Sequence, residues 1–349
     1  MEFRSIQDVD CTGQRVLMRV DFNIEQKNTS DISEHFRLDI IKPTLDLIAQ
    51  ASGAKVALLT HFGRPDGKKD ADFSVAKLVR AVELSTGRKV VFVPDCVGEQ
   101  VTAALTALAT DEIILLENVR FYPGEETNDE AFAKELAAPF TFFVNEAFSV
   151  CHRAHASVEA VTRFLPSYAG LRLIKEVTEL DRVRFSPKHP AIALIGGAKI
   201  ETKLSLIGAL EKNYDAILVG GKVANEALDQ KLTFSEKVLL PKDFDSAARL
   251  DIGPQTIAYF TQIIKTAKTI IWNGPMGKFE EKPYDLGTDA ILHTILESDA
   301  YVVIGGGESL AVLEKAGVIG KISFVSSGGG AMLEYLGGKK LPGLAVLEA

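Results

Sequence analysis

The sequence predicts an α/β protein with two domains, each built on a parallel sheet. Its 349 residues are too many for one ordinary hydrophobic core. Short β-branched and aliphatic runs alternate with longer helix-like segments along the whole chain. Most of these runs are continuously apolar, which is typical of parallel strands covered by helices on both faces. We therefore expect two doubly wound, Rossmann-like domains facing a cleft.

The strand predictions follow from these apolar runs, and they divide evenly between the two halves of the chain. In the first half the predicted strands are Arg15–Phe22, Lys55–Thr60, Lys89–Val93, Glu112–Leu116 and Thr141–Val144. In the second half they are Ala191–Ile195, Ala216–Val219, Thr269–Trp272, Tyr301–Ile304 and Ile322–Val325. Among the helices, Pro254–Ala267 has proline at its start and apolar residues at helical spacing.

The predicted domain boundaries follow from one amphipathic segment and one break. We expect a first domain over residues 1–170 and an interdomain helix and linker over 171–189. Leu171–Val183 has the helical pattern, and Ser186–Pro190 interrupts it. A second domain is expected over 190–335, with a segment over 336–349 that returns to the first domain.

Composition limits the possible classes of function. The formal net charge of −8 argues against a nucleic-acid binder, which usually has a basic domain. No stretch is long enough to cross a bilayer, and the N-terminus lacks the apolar core of a signal peptide. The three cysteines have no metal-like spacing and indicate a reducing compartment. We expect a cytoplasmic monomer without nucleic-acid or membrane partners.

In the first half, the residues at and after the strand ends are basic or polar. Arg19 and Asp21 fall at one strand end, His61 and Arg64 at another, and Arg120 follows a third. Arginine suits bidentate contact with carboxylate or phosphate, so the set predicts a small polyanion site. Any one arginine alone has the alternative of pairing with a surface carboxylate.

Two other interpretations of this half are disfavoured. A zinc site from His61, His152 and His155 lacks a cysteine or carboxylate pattern to complete it. Cys151 beside His152 is not thereby a thiol nucleophile, because adjacency in sequence is not catalytic geometry.

In the second half, the strands are followed by glycine. The turns are Gly196–Lys199, Gly220-Gly221, Asn273–Pro275, Gly305–Gly307 and Ser326–Gly330. Glycine lets backbone amides approach phosphates, and Lys199, Lys203 and Glu308 add charges suited to phosphate and its magnesium. The P-loop pattern is absent, and no G-x-G-x-x-G follows the first strand, which disfavours a dehydrogenase. The contrast between the halves predicts two different ligands on two domains.

An ordered series of motifs resembles the phosphoglycerate kinase family. The motifs are Arg19–Asn23, His61–Pro65, Leu116–Phe121, Phe143–Phe148, His152–His155, Gly196–Lys199, Asp251–Pro254, Trp272–Gly277, Gly305–Ser309, Ser327–Gly330 and Leu341–Gly343. The resemblance spans almost the whole chain and follows the order of the family.

The resemblance implies reversible phosphoryl transfer between 1,3-bisphosphoglycerate and ADP, giving 3-phosphoglycerate and MgATP in glycolysis. It implies that the phosphoglycerate is held by Asp21, Asn23, Arg37, His61, Arg64, Arg120 and Arg153, with Arg19 nearby. It assigns the nucleotide to Gly197, Ala198, Lys199, Lys203, Gly221, Leu250, Asn273, Pro275, Glu280, Gly307, Glu308 and Ser309, with Glu308 also near the Mg²⁺ ion. We expect Arg37 and Lys199 to stabilise the transferred group, and hinge closure to involve Tyr168–Pro190.

The chain also departs from the family pattern, mainly on the nucleotide side. The segment between Leu240 and Leu250 is short, so a helix and a strand are expected to be missing and five strands to remain in the second domain. Lys222 stands in place of a third glycine, Lys278 in place of an apolar residue, and Glu308 in place of aspartate. The alternative is therefore a kinase-like protein that binds phosphoglycerate without turnover.

Overall fold

A computed structural model describes residues 2–24 and 35–349. The chain forms two compact units. Unit 1 comprises Met1–Lys175 with Lys340–Ala349, and unit 2 comprises Glu176–Lys339. The boundary between them falls inside one long helix, Leu171–Phe185.

Unit 1 contains a six-stranded sheet in which every described pairing is parallel. Its strands are β1 (Arg15–Arg19), β2 (Lys55–Leu59), β3 (Lys89–Val93), β4 (Glu112–Leu116), β5 (Phe142–Asn145) and β6 (Ser167–Ala169). Their order across the sheet is β3-β4-β2-β1-β5-β6. The helices are α1 (His35–Asp39), α2 (Lys42–Ala49), α3 (Val79–Thr86), α4 (Glu99–Ala107), α5 (Pro123–Glu126), α6 (Glu130–Ala137) and α7 (Leu171–Phe185), the last of which runs on into unit 2.

The two faces of this sheet pack into separate hydrophobic cores. Val16 and Met18 of β1 belong to one core, and Leu17 between them belongs to the other. Both faces are buried because helices cover both, so successive residues of a strand must all be apolar. This arrangement confirms the predicted doubly wound architecture.

Unit 2 contains a second six-stranded sheet, also with parallel pairings throughout its described strands. Its strands are β7 (Ala191–Ile195), β8 (Ala216–Val219), β9 (Val238–Leu239), β10 (Thr269–Asn273), β11 (Tyr301–Gly305) and β12 (Phe324–Ser326), in the order β12-β11-β10-β7-β8-β9. The helices are α8 (Glu201–Leu210), α9 (Gly221–Asp229), α10 (Pro254–Ile264), α11 (Leu286–Leu296), α12 (Gly307–Ala316) and α13 (Gly329–Leu336). A last helix, α14 (Pro342–Ala345), lies in the segment that belongs to unit 1.

The structure corrects the strand predictions at three places. The expectation of five strands in the second domain is wrong, because β9 pairs with β8 through Val238 and Leu239 and completes six. The edge strand β6 was not predicted either. The first strand ends at Arg19, earlier than predicted, and residues 20–24 after it have no regular secondary structure.

Among residues 2–24 and 35–349, no helix combines the length and the apolar character that a membrane crossing requires.

Candidate active site

In unit 1, Asp21 lies just after β1 at the centre of a charged cluster. One of its carboxylate oxygens accepts hydrogen bonds from Arg37 and Ser149, and the other accepts from the backbone N–H of Asn23 at 3.0 Å. The Nδ1 atom of His61 lies 3.9 Å from the carboxylate. Burial alone would raise the pKa of Asp21, but the charge of Arg37 and the hydrogen bonds from Ser149 and Asn23 hold it well below its ordinary value. Asp21 is therefore an ionised acceptor.

The loop after β2 is fixed to the other predicted residues by hydrogen bonds. The side chain of Asn23 accepts from the Gly63 N–H at 2.9 Å, and Arg120 donates to the Gly63 carbonyl oxygen at 2.7 Å. Gly63 has φ of +61°, and a Cβ there would lie 2.3 Å from the ring of Phe73. Glycine is thus required at the turn that holds Asn23, His61 and Arg120 in one neighbourhood.

Two further arginines of the predicted set are less enclosed. Arg64 is exposed at the end of the β2 loop. Arg153 is half-buried and donates from Nε to His152 at 3.2 Å. An exposed or half-buried guanidinium retains donors for an incoming anion, so these residues suit phosphate or carboxylate.

Arg19 differs from the other arginines of unit 1. Its side chain is buried, and its Nε donates to Ser157 at 3.0 Å behind the cluster. The sequence predicts Arg19 near the polyanion site, but in the structure its guanidinium contacts Ser157, Val20 and His61.

In unit 2, the glycine turns after three strands are locked together. Gly196 follows β7, Gly221 begins α9 after β8, and Gly274 follows β10. The Gly196 N–H donates to the backbone carbonyl oxygen of Asn273 at 2.9 Å, and the Gly197 N–H donates to that of Pro275 at 3.0 Å. A Cβ on Gly196 would lie only 2.0 Å from the Pro275 carbonyl oxygen. The repeated glycines therefore permit backbone to pack on backbone.

Beside these turns lies a cavity of about 480 Å³, a volume suited to a small molecule. The predicted nucleotide residues that line it are Gly197, Ala198, Gly221, Leu250, Pro275, Glu280 and Glu308. Lys199, Lys203, Asn273, Gly307 and Ser309 are predicted residues outside this lining. The structure thus brings seven of the twelve predicted nucleotide residues to one cavity.

Some lining residues were not predicted as nucleotide contacts. They include Lys222, Asn225, Glu226 and Asp229, which all belong to α9. Their spacing of three to four residues is the spacing of one helix face, so periodicity along α9 would have found them.

Lys203 and Asn273 are buried and hold the glycine turns together. The ammonium of Lys203 is buried and donates to the Asn273 side-chain oxygen. The Asn273 amide donates in turn to the Gly305 carbonyl oxygen at 2.6 Å. Burial lowers the pKa of Lys203 to about 8, and the charge of Glu308 partly opposes this. Ser309 has a similar structural contact, accepting from the Gly274 N–H at 2.8 Å.

Glu308 is the predicted metal ligand, and its surroundings fit a cation. Partial burial and the charge of Glu280 raise the pKa of Glu308, whereas Lys203 lowers it. A divalent cation would stabilise the charged form of a carboxylate whose pKa is raised in this way, and Mg²⁺ prefers oxygen ligands. Within the described ranges, no group of three or more acidic, histidine or cysteine side chains is arranged to hold a metal. A magnesium ion here would therefore take most ligands from phosphate and water, as is usual for nucleotide-bound Mg²⁺.

The short segment between Leu240 and Leu250 forms part of the cavity wall. Asp243 accepts from the N–H of Thr256 at 2.8 Å and of Gln255 at 3.1 Å, which caps the start of α10. Arg249 pairs with both oxygens of Asp229 at 2.8 Å. Ala248, Arg249 and Leu250 all line the cavity. The short segment thus forms one wall of the unit 2 cavity.

Comparisons with known proteins agree on one family. The family model described as phosphoglycerate kinase matches residues 6–245 and 230–339. The phosphoglycerate kinase of Rhodospirillum centenum is 39% identical over 398 aligned positions, covering 100% of both chains. That of Pelotomaculum thermopropionicum is 38% identical over 393 positions, covering 99% of both. These alignments are longer than the 349-residue chain, so the relatives contain insertions relative to it.

Solved structures give the same result. The crystal structure of phosphoglycerate kinase from Pyrococcus horikoshii superposes with a TM-score of 0.88 at 29% identity, covering 99% of this chain and 98% of that one. The structure of phosphoglycerate kinase from Coxiella burnetii gives 0.81 at 33% identity, covering 99% of each chain. The two six-stranded parallel sheets, the glycine turns and the full-length sequence matches all lead to one conclusion: the chain belongs to the phosphoglycerate kinase family.

Proposed function

We propose that this protein catalyses reversible phosphoryl transfer between 1,3-bisphosphoglycerate and ADP, giving 3-phosphoglycerate and ATP. The observation that carries the proposal is the full-length similarity to phosphoglycerate kinases, up to 39% identity with the whole chain covered. The cation-rich cluster of unit 1 and the glycine-lined cavity of unit 2 support it, because each has the chemistry that one of the two substrates needs.

The phosphoglycerate is assigned to unit 1. Arg64, Arg120 and Arg153 donate to its anionic oxygens, and His61 donates beside them. Asp21 is ionised and accepts from the substrate hydroxyl, while Asn23 supplies an amide next to it. Arg37 forms an ion pair with Asp21, so both residues belong to the same cluster.

The nucleotide is assigned to the cavity of unit 2. Its volume of about 480 Å³ and its mixed lining of Ala198, Leu250 and Pro275 with Glu280 suit a base and a sugar. The amide-rich glycine turns and Lys199 suit the phosphates. Lys203 adds positive charge beside these turns, because its ammonium donates to the Asn273 side chain. Mg²⁺ neutralises phosphate charge when bound, and Glu308 is the residue of this chain that would hold it.

Catalysis then requires little proton chemistry from the protein. In the ATP-consuming direction the attacking group is already a carboxylate, so no general base is needed. The work of the protein is to align the two substrates and to stabilise the charge on the transferred group. Arg37 and Lys199 are assigned to that charge. Since they belong to different units, we propose hinge closure involving Tyr168–Pro190. Small-angle scattering should show compaction only when both substrates are present.

Two secondary properties accompany this proposal. We place the protein in the cytoplasm, because Cys11, Cys96 and Cys151 are free and buried thiols, which a reducing compartment preserves. We assign activity to the monomer, because one chain supplies the residues for both substrates.

The decisive experiment measures ATP formation from ADP, Mg²⁺ and enzymatically generated 1,3-bisphosphoglycerate. We expect turnover by the wild type and a loss of at least about 100-fold in Lys199→Ala, on the scale of removing one charge-stabilising donor. Lys212→Ala, which changes an exposed lysine of the same unit away from the cavity, is the matched control and should retain activity.

Absence of turnover in folded wild-type protein would refute the proposed reaction. Calorimetric titration with 3-phosphoglycerate would then decide for or against the alternative of binding without turnover. Retained phosphoglycerate binding with no ADP binding would identify the unit 2 cavity as the defective part.

A further inference from the structure

A row of four buried polar side chains extends from the charged cluster around Asp21 into the interior of unit 1. The row consists of Glu125, Ser157, Arg19 and His61, with fractional exposures of 0%, 0%, 1% and 5%. Buried charges are costly unless they are paired and hydrogen-bonded. The contacts of each member therefore show what the row does.

Arg19 donates in three directions at once. Its Nε donates to the Ser157 hydroxyl at 3.0 Å, and its Nη1 donates to the Val20 carbonyl oxygen. Its Nη2 lies 3.2 Å from Nδ1 of His61. With every nitrogen of the guanidinium in use, Arg19 is a fixed part of the protein interior.

Glu125 supplies the opposite charge at the far end of the row. Its two oxygens accept from the Ser157 hydroxyl at 2.7 Å and from the Ser157 N–H at 2.9 Å. Burial would raise the pKa of Glu125, but His155, Arg19 and Ser157 hold it below the ordinary value. Glu125 is thus ionised and, through Ser157, orients the guanidinium of Arg19.

The contact between Arg19 and His61 determines where the histidine hydrogen lies. A guanidinium has only donors, so the atom that faces it must accept. Nδ1 of His61 must then be free of hydrogen, and the ring hydrogen must be on Nε2. The competing partner for an Nδ1 hydrogen is Asp21, whose oxygen is 3.9 Å away, beyond hydrogen-bond distance.

We propose that Glu125, Ser157 and Arg19 are positioning residues that hold His61 as the neutral tautomer with its hydrogen on Nε2. The inference rests on the proposed function in one respect, the role of His61 toward phosphoglycerate. In this tautomer Nε2 can only donate, so His61 binds an anionic oxygen of the substrate and cannot accept its proton.

The charged groups that face His61 favour the neutral ring. They are Asp21, Arg19, Arg120 and Arg37. Burial lowers the pKa of His61 well below its ordinary value, and the three arginines add to this against the opposing charge of Asp21. A neutral ring leaves the hydrogen on one nitrogen only, and the contact with Arg19 selects which one.

The first test needs only the wild-type, full-length protein without ligand. Long-range ¹H–¹⁵N correlation spectra distinguish a protonated from an unprotonated imidazole nitrogen. The chain has six histidines, and His61→Gln identifies the resonances of His61 by their loss. We expect unprotonated Nδ1 and protonated Nε2 at pH 7. An Nδ1–H tautomer or a doubly protonated ring would overturn the proposal.

The second test breaks the row at its middle. Ser157→Ala removes the hydroxyl that links Glu125 to Arg19, and the His61 resonances should shift toward a mixture of tautomers. Ser167→Ala is the matched control, because Ser167 is also a buried serine of unit 1 and its hydroxyl donates to Leu165 at 2.8 Å, outside the row. The control should leave the His61 resonances unchanged.

Kinetics provide an independent measurement. Relative to Ser167→Ala, Ser157→Ala should raise the KM for phosphoglycerate about fivefold, the scale of one hydrogen bond, with a smaller change in kcat. If Ser157→Ala fails to fold, Glu125→Gln tests the same link with less change of shape. An unchanged tautomer in a folded Ser157→Ala or Glu125→Gln variant would refute the positioning role. Because the spectra are recorded without substrate, that result is distinct from failure of the proposed kinase reaction.

Discussion

The buried ammonium of Lys203 makes the stability of unit 2 depend on pH in a specific direction. Its pKa falls from an ordinary value of 10.5 to about 8, with burial as the main cause. Each unit of pKa corresponds to about 1.4 kcal/mol. Keeping Lys203 charged in the folded protein therefore costs roughly 3 kcal/mol of the free energy of unfolding at pH 7.

The sign follows from proton binding. Between pH 8 and pH 10.5 the unfolded chain holds the Lys203 proton and the folded protein does not. The free energy of unfolding must therefore rise with pH in this window, by roughly 2 to 3 kcal/mol between pH 7 and pH 10 from this residue alone.

Lys203→Met isolates this effect. The variant loses the penalty but leaves the Asn273 side-chain oxygen without its Lys203 donor, at a cost of about 1–3 kcal/mol. We therefore expect the variant to be at least as stable as the wild type at pH 7 and less stable at pH 10. The order of stability of the two proteins reverses between pH 7 and pH 10 because only the wild type has the titrating ammonium.

Urea denaturation followed by tryptophan fluorescence measures the effect in the right unit. The chain has one tryptophan, and Trp272 is fully buried in β10 of unit 2. Lys212→Met, at an exposed lysine, controls for loss of a positive charge. If wild type and Lys203→Met show parallel dependence on pH between 7 and 10, the reasoning about Lys203 is refuted.

Three further predictions concern other parts of the two units. Gly196→Ala places a Cβ within 2.0 Å of the Pro275 carbonyl oxygen and should lower stability by at least about 2 kcal/mol in urea denaturation. Gly208→Ala, in α8 with open space around it, should instead raise it by about 0.5–1 kcal/mol, and equal effects would contradict the packing argument. The pKa of Asp21 lies below its ordinary 3.8, so the stability that it provides is lost as pH falls through the range below 4. Asp21→Asn should flatten the acid-unfolding curve monitored by circular dichroism there, and an unchanged curve would count against it. Lys222 is exposed, with Glu226 at 3.8 Å, so Lys222→Gly should change the KM for ADP less than about threefold, whereas a tenfold rise would indicate a phosphate contact.

Most of the sheet architecture could be predicted because burial on both faces leaves a strong sequence pattern. In β1, Val16, Leu17 and Met18 are all apolar since successive side chains enter opposite cores. The position of polar residues just after such strands then predicts a binding edge, and on this ground the sequence assigns Asp21 and His61 to one site.

The remaining features depend on contacts between distant residues. The edge strand β9 has only two residues and makes its described strand pairing with β8, too short a run to stand out from its surroundings. The local pattern of charge does not explain why Arg19 donates to the buried Ser157 whereas Arg64 is exposed. Their different roles follow from tertiary packing, which local patterns do not contain.

The return of Lys340–Ala349 to unit 1 has a consequence for dividing the chain into fragments. The backbone N–H of Gly343 donates to Cys151, and Arg4 donates to Val346, so unit 1 includes these late residues. Unit 2 is one uninterrupted stretch, Glu176–Lys339, so a single continuous fragment contains every residue of it. A fragment that ends at Lys175 lacks the contacts that Gly343 and Val346 make. Unit 1, unlike unit 2, therefore cannot be excised as one continuous piece with its contacts intact.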